Sequence, residues 1–324
     1  MHGQIEILGL GTEEQDCALV RFAARDRSID AQLPCRGLSG GDAALLERVD
    51  GEPSALGILR SSSHAETDPG ALWGALQRDE LELFWDGNRA ALGELLDRWI
   101  ARVSGDLAPD NEWETSMSVS VPSRDSDAAI PLLSRGFALI GVSGIRIGAR
   151  GADADAAEQR LASAGYRLRQ ADESDAVLLG RLDAELLAHD AAHGHVSSRP
   201  NAGETLAAEI LERLRVDPEW TWIIEGGGGA PLGYLSIEID RPRHLAECAA
   251  GGSVAHIQAM YLRPGLRGAG IGEAVVDFAH GRLEGAGHDR ITLGYAALNP
   301  RSGPFWCRQG YRPLWNHWQR RPAR

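Results

Sequence analysis

The segment from Leu262 to Val275, LRPGLRGAGIGEAV, constrains the fold of this chain more strongly than any other. It follows the strand-like run VAHIQAMY and precedes a helix-like run that continues to about Glu284. Its three glycines, Gly268, Gly270 and Gly272, leave the main-chain N–H groups uncovered by side chains. Since uncovered N–H groups at the start of a helix bind anions, the segment predicts a strand–loop–helix unit that cradles phosphate.

Two common phosphate loops do not fit this segment. A dinucleotide-binding loop reads G-x-G-x-x-G, and its third glycine would fall on Glu273. A nucleoside-triphosphate loop requires a lysine, and the sequence contains none, because all 33 of its basic residues other than histidine are arginine. The pattern that remains is R-x-x-G-x-G, formed by Arg267, Gly270 and Gly272.

The loop and its surroundings resemble the acetyl-CoA loop of the GNAT superfamily of N-acetyltransferases. Upstream, the likeness extends through MYLRPGLRGAGIG. Downstream, it extends through Asn299, Ser302, the aromatic pair Phe305–Trp306 and the Gly310–Tyr311 pair. The resemblance covers about residues 155 to 324, with two motifs in the order and spacing that the family shows.

The resemblance implies a mixed α/β fold, in which a central, mostly antiparallel sheet contains a splayed pair of strands and is flanked by helices. It also implies acetyl-CoA as co-substrate, with the Met260 N–H stabilising the oxyanion of the thioester and Asn299 binding the pantetheine arm or a water. Arg263, Arg301 and Arg308 flank the two motifs and are candidates for added positive charge. The cofactor-binding residues expected on this basis are Met260, Tyr261, Leu262, Arg267, Gly268, Ala269, Gly270, Ile271, Gly272, Glu273, Asn299, Ser302 and Trp306.

The candidate general base is His256. Related enzymes often carry a glutamate four residues before the position of Met260, and here that residue is His256. A period of two predicts that residues 256, 258, 260 and 262 share one face of the strand. An imidazole titrates near pH ~6.5 and suits the removal of a proton from an amine at neutral pH. The alternatives are a histidine that only packs in the sheet, with Glu238 or Asp240 as the base instead.

Trp306 departs from the family pattern. Many family members carry a tyrosine there, which is thought to protonate the leaving thiolate, and an indole cannot do this. Tyr295 or water is therefore expected to supply the proton, or the thiolate leaves unprotonated. The same departure is consistent with an alternative function, a CoA-binding module with little or no turnover.

Three histidines, His189, His193 and His195, follow the first helix of this region within AHDAAHGH. Their spacing differs from that of standard zinc sites, and no cysteine lies nearby. The sequence therefore predicts no metal, and a loop that contacts the acceptor substrate instead.

The chain is long enough for two domains, and GARGADADAAEQ reads as the linker between them. We expect residues 1–151 to form a degenerate GNAT-like domain and residues 152–324 the catalytic acetyltransferase domain. The basis is an internal echo, in which the Gly136–Phe137 pair falls on Gly310–Tyr311 at an offset of 174 residues while the phosphate loop has no counterpart. At the same offset Asp125 falls on Asn299, although coincidence between two α/β segments remains the alternative.

The composition argues against several classes of binding partner. The formal net charge of −13 argues against nucleic acid or an anionic membrane surface, and no run has the length of a membrane span. The cysteines are scattered without a CxxC pair and no signal peptide is evident, so a cytoplasmic location is expected. The predicted function is transfer of an acetyl group, by direct attack, to the primary amine of a small and cationic molecule, by a monomer or homodimer. A two-domain scaffold with neither binding nor activity is the third reading.

Overall fold

The structure, a computed structural model, describes residues 12–38, 41, 43–106, 112–194, 196–239 and 249–323. In chain order its elements are α1 (Thr12–Ile29), β1 (Ala43–Val49), β2 (Glu52–Ser63), β3 (Gln77–Trp85), α2 (Arg89–Asp106), β4 (Thr115–Pro122), α3 (Ala129–Leu133), β5 (Ala138–Ile147), α4 (Ala154–Ser163), β6 (Arg167–Gln170), α5 (Ala176–Ala191), α6 (Ala202–Val216), β7 (Thr221–Glu225), β8 (Pro231–Glu238), β9 (Val254–Leu262), α7 (Ile271–Gly285), β10 (Arg290–Ala296), α8 (Ser302–Arg308) and β11 (Arg312–Arg320).

The chain divides into two compact units. Unit 1 comprises Met1–Ser143 with Pro313–Arg324, and unit 2 comprises Gly144–Arg312. The ranges drawn from the sequence, 1–151 and 152–324, differ from these units in two places. The linker predicted near residue 152 lies inside unit 2, and the last residues of the chain belong to unit 1 because β11 pairs antiparallel with β4.

Unit 1 contains a sheet in the order β1-β2-β3-β4-β11. The first three strands form an antiparallel meander, and β3 and β4 are parallel with the crossover helix α2 between them. Helix α2 buries Leu92, Leu95, Leu96 and Trp99, whose spacing places them on one face of the helix.

Unit 2 contains a sheet in the order β10-β9-β8-β7-β6. Strands β6 to β9 are antiparallel to their neighbours, whereas β9 and β10 are parallel and joined through α7. One face of this sheet packs with α4 and α7, and the other packs with α5 and α6. The mixed, mostly antiparallel sheet flanked by helices confirms the predicted fold class.

The splayed pair of strands is also present. Strand β10 pairs with β9 only from Arg290 to Leu293, opposite Val254 to Ile257. The remainder of β9 continues to Leu262 without β10 as a partner. The splay therefore leaves one edge of β9 exposed where the glycine-rich loop begins.

Candidate functional site

The glycine-rich loop connects β9 to α7, as the sequence predicts. A short 3₁₀ turn, Pro264–Leu266, follows the strand, and Gly270 then occupies the N-cap position of α7 with φ of 78°. Among the described residues no side chain caps this helix, so its first N–H groups are not bonded to a side-chain acceptor there. A Cβ built on Gly268 or Gly270 would meet no atom within 4 Å, which leaves space for a ligand at the positive end of the helix dipole.

A cavity of about 680 Å³ opens beside this loop, within the range of small-molecule sites. It extends along β9 to the start of α8, with α5 forming a further wall. The predicted site residues that line it are Met260, Tyr261, Leu262, Arg267, Gly268, Gly270, Gly272, Glu273, Tyr295, Asn299, Ser302 and Trp306. Four others do not line it: Ala269 is exposed in the loop, Ile271 is buried in the core, and His256 and Glu238 lie elsewhere on their strands.

A β-bulge changes which residues of β9 share a face. Ser236 pairs with Ala259 and Ile237 pairs with Ile257, so Gln258 is the extra residue of β9. Ile257 packs with α7 before the bulge and Met260 does so after it, whereas Tyr261 packs on the α5 side. The expectation that residues 256, 258, 260 and 262 share one face is therefore wrong, because the bulge interrupts the period of two.

The Thr292 hydroxyl orients the His256 ring. The Thr292 hydroxyl donates to the carbonyl oxygen of Ala255 at 3.1 Å and lies 2.9 Å from His256 Nδ1. Because the hydroxyl proton is already used in that bond, Nδ1 carries a proton and donates it to the Thr292 oxygen. In the register of the sheet, His256 lies opposite Glu238 on β8.

Asn299 and Trp306 form the end of the cavity at α8. The Asn299 side chain is nearly buried, and its Oδ1 accepts from the N–H groups of Arg301 at 3.1 Å and Ser302 at 3.3 Å. Trp306 is buried and packs edge-on against Phe305 and Tyr311, so it acts as a wall of the cavity. Burial raises the pKa of the Tyr295 phenol, so the phenol is protonated at neutral pH.

The arginines in and around the two motifs have different surroundings. Arg263 forms an ion pair with Glu185 of α5 at 3.0 Å, and Glu185 also accepts from the Tyr261 hydroxyl at 3.0 Å. Arg263 is thus tied to the scaffold, whereas Arg267, Arg301 and Arg308 line the cavity. Sequence reasoning missed Glu185, because no motif marks an acid on α5 that meets β9 only in the folded chain.

Helix α5 brings a further polar group to the cavity. His189 and Asp190 line its wall, and one ligand atom each of His189, Asp190 and His193 lie within 4.8 Å of one another. Burial, with the nearby charge of Arg267, lowers the pKa of His189. Two residues named from the sequence, His195 and Asp240, lie outside the described residues.

Comparisons with known proteins agree with this geometry. Residues 188–311 match the family model described as acetyltransferase (GNAT) family. The crystal structure of a GCN5-related N-acetyltransferase from Sphaerobacter thermophilus is similar over 89% of this chain and 83% of its own, at 16% identity and a TM-score of 0.55. No curated protein matches the sequence.

Two further solved structures cover most of this chain. A GCN5-related glucosamine N-acetyltransferase region of a fungal multi-domain GH3 β-N-acetylglucosaminidase matches 85% of it, at 12% identity and a TM-score of 0.54, and this chain spans 32% of that protein. A tandem GNAT protein from the clavulanic acid biosynthesis pathway matches 95% of both chains, at 14% identity and a TM-score of 0.44. At identities this low, structural likeness describes the fold and not the substrate. Among the described residues, no helix has the length and apolar character needed to cross a bilayer.

Proposed function

We propose that the chain transfers an acetyl group from acetyl-CoA to the primary amine of a small molecule, because residues 188–311 match the model of the acetyltransferase (GNAT) family. The observation that carries the proposal is the start of α7. It presents N–H groups without a side-chain cap to a cavity lined by Arg267, Arg301 and Arg308. A polyanion such as the pyrophosphate and phosphate groups of acetyl-CoA is the ligand that this arrangement stabilises.

The splay of β9 from β10 provides the place for the pantetheine arm. Beyond Ile257 the edge of β9 is not paired with β10, and Met260, Tyr261 and Leu262 line the cavity there. An extended arm with amide groups can add to such an edge as a short strand would. In this position the thioester carbonyl lies at the Met260 N–H, which stabilises the oxyanion as it forms.

The reaction is direct attack by the amine. The amine nitrogen bonds to the carbonyl carbon, the carbon–sulfur bond breaks, and the amine loses a proton while the CoA thiolate gains one. His256 is the proposed base that accepts the first proton, and the Thr292 hydroxyl, 2.9 Å from its Nδ1, holds the ring in place. Glu238 is the alternative base, and Tyr295 or water supplies the second proton.

The acceptor is proposed to be a small cationic amine. The protein is acidic overall, which favours encounter with a cation. The proposed location is a reducing compartment such as the cytoplasm, because Cys17, Cys35 and Cys307 are free thiols.

One feature favours a second candidate function. The buried indole of Trp306 stands where many family members carry the tyrosine that protonates the thiolate, and an indole cannot supply that proton. The second candidate is therefore a module that binds CoA or acyl-CoA with little turnover.

Two measurements test the proposal. Calorimetry with acetyl-CoA is expected to give one site per chain, and no binding or two equal sites would contradict it. A thiol-release assay over polyamines, aminoglycosides and amino acids is expected to find at least one amine that is acetylated. Acetyl-CoA binding without thiol release across the whole panel would favour the binding module instead.

A further inference from the structure

We infer a transition-metal site at the C-terminal end of α5, formed by His189, Asp190 and His193. One ligand atom from each of these three side chains lies within 4.8 Å of the other two. Only the histidines are candidate ligands in the sequence, and the fold adds Asp190, which completes a set of three donors. The inferred site departs from the prediction, made from the sequence, that these histidines bind no metal.

The helix places the two imidazoles on one side. His189 and His193 are four residues apart, and the N–H of His193 donates to the Asp190 carbonyl oxygen at 2.9 Å, so the winding continues past Ala191. The ring centroids lie 5.0 Å apart and the rings are inclined by 66°. This separation suits two imidazoles that bind one ion at the ordinary zinc–nitrogen distance and a near-tetrahedral angle.

A second contact orients one of the ligands. His193 Nδ1 lies 2.9 Å from the carbonyl oxygen of His189. Since a carbonyl can only accept, Nδ1 carries the proton and Nε2 has the lone pair that a metal binds. Ligating histidines in metal sites usually donate their other nitrogen to a carbonyl or carboxylate in this way.

The electrostatics of the cluster also suit a cation. The carboxylate of Asp190 and the negative end of the α5 dipole supply negative charge. These two contributions oppose the repulsion that Arg267 and Arg301 exert on a dication.

The donor set indicates the class of metal. Two imidazole nitrogens and one carboxylate oxygen suit zinc, cobalt, nickel or copper rather than magnesium or calcium. Three protein ligands leave a coordination position for water or another ligand. Because His189 and Asp190 line the cavity, an ion held here would form part of the cavity wall.

The test is a titration of the untagged full-length protein, freed of metal by dialysis against a chelator, with cobalt(II) and then with zinc(II). Acetyl-CoA is left out, so the result does not depend on the proposed function. We expect one cobalt ion per chain, with visible absorption bands of four-coordinate cobalt that disappear when zinc replaces it. His193→Gln and Asp190→Asn should each weaken cobalt binding at least about tenfold.

The matched control is His64→Gln, which removes an imidazole from unit 1 and should leave cobalt binding unchanged. Circular dichroism of each variant verifies that the fold is retained. The inference is overturned if the wild type binds no cobalt at millimolar concentration. It is equally overturned if cobalt binds with the same affinity and spectrum to the wild type, to His193→Gln and to Asp190→Asn.

Discussion

Two segments of the chain have the same local architecture but differ in the partners of their polar groups. In one segment these groups bond to side chains, and in the other they face a cavity. In unit 1 the parallel strands β3 and β4 are joined through α2, and in unit 2 the parallel strands β9 and β10 are joined through α7. The turn that follows is repeated at an offset of 174 residues. Phe137 donates to the Leu132 carbonyl at 3.1 Å, and Tyr311 donates to the Trp306 carbonyl at 3.1 Å.

The glycine in each turn strengthens this likeness. Gly136 has φ of 79° and Gly310 has φ of 89°, a conformation that other residues rarely adopt. Matching hydrogen bonds and a matching left-handed glycine at one offset support the proposal that unit 1 is a copy of the acetyltransferase architecture.

The first difference lies at the start of the crossover helix. In unit 1 only three residues separate β3 from α2, and Asn88 caps the helix by accepting from the N–H groups of Ala90 at 3.0 Å and Ala91 at 3.2 Å. In unit 2 a longer loop ends at Gly270, and no side chain caps α7. The first N–H groups of the crossover helix bond to a side chain in unit 1, whereas those of α7 have no described side-chain cap.

The second difference lies at the corresponding polar residues Asp125 and Asn299. Arg25 of α1 donates two hydrogen bonds to Asp125, at 2.7 and 2.8 Å, and Trp85 donates a third from its indole at 3.1 Å. Asn299 instead accepts only main-chain N–H groups in the bonds described and faces the cavity. The two units therefore differ in that side chains of unit 1 bond to the polar residue that in unit 2 faces a cavity.

The largest expected effect is that of Gly270→Glu. A carboxylate at the N-cap of α7 would fill the empty space beside the loop and repel phosphate. We expect calorimetry to detect no binding of acetyl-CoA to this variant. Gly165→Glu is the matched control, because Gly165 also has a positive φ and no neighbour within 4 Å but lies away from the cavity. Equal affinities for the two variants would remove the basis for a phosphate site here.

The next prediction concerns the candidate general base His256 on β9. The corresponding strand β3, QRDELELFW, contains no histidine. His256→Ala should lower kcat by about 10²–10⁴-fold, as loss of a general base usually does. The Kd of acetyl-CoA should stay the same, because the base acts on the amine. His288→Ala, at another half-buried histidine of unit 2, should leave kcat unchanged. An unaltered kcat and pH profile in His256→Ala would move the role to Glu238 or to solvent.

The parts predicted correctly from the sequence are those that local patterns determine. The glycines of LRPGLRGAGIGEAV indicated the strand, the loop and the helix, and the splay followed from the resemblance. The bulge at Gln258 could not be foreseen, because alternation of residue types does not reveal one extra residue in a strand. The Arg25–Asp125 pair joins residues a hundred positions apart, and no motif marks such a pairing.

The third prediction compares the two corresponding polar residues directly. Asp125→Ala should reduce the free energy of unfolding by about 3 kcal/mol, because Arg25 is left without its buried partner. Asn299→Ala should instead weaken acetyl-CoA binding, with a smaller loss of stability from the lost hydrogen bonds to the N–H groups of Arg301 and Ser302. Hydrogen exchange of peptides from each unit and calorimetry with acetyl-CoA separate the two results.

Asp127→Ala is the control for Asp125→Ala. It removes an exposed carboxylate whose only described partner is Arg89, and surface ion pairs contribute little. If Asp125→Ala changed acetyl-CoA affinity as much as Asn299→Ala does, the distinction between Asp125, which bonds to side chains, and Asn299, which faces the cavity, would be wrong.

The smallest expected effect tests the helix starts themselves. Asn88→Ala removes the side-chain acceptor of the Ala90 and Ala91 N–H groups and should destabilise unit 1 by about 1 kcal/mol. Asn88→Gly should destabilise it by only about a few tenths of a kcal/mol, because glycine is tolerated at an N-cap. Gly270→Ala makes the converse comparison. No side-chain bond is lost there, so any destabilisation comes from the positive φ alone, and a methyl group meets no neighbour within 4 Å. Acetyl-CoA affinity should therefore fall in Gly270→Ala and remain unchanged in both Asn88 variants, because only the start of α7 is open to a ligand.

Hydrogen exchange over the first turns of α2 and α7, measured with and without acetyl-CoA, distinguishes the two helix starts. Acetyl-CoA should protect the amides of α7 strongly and those of α2 not at all. Protection of α2 would mean that its capped end still binds the cofactor.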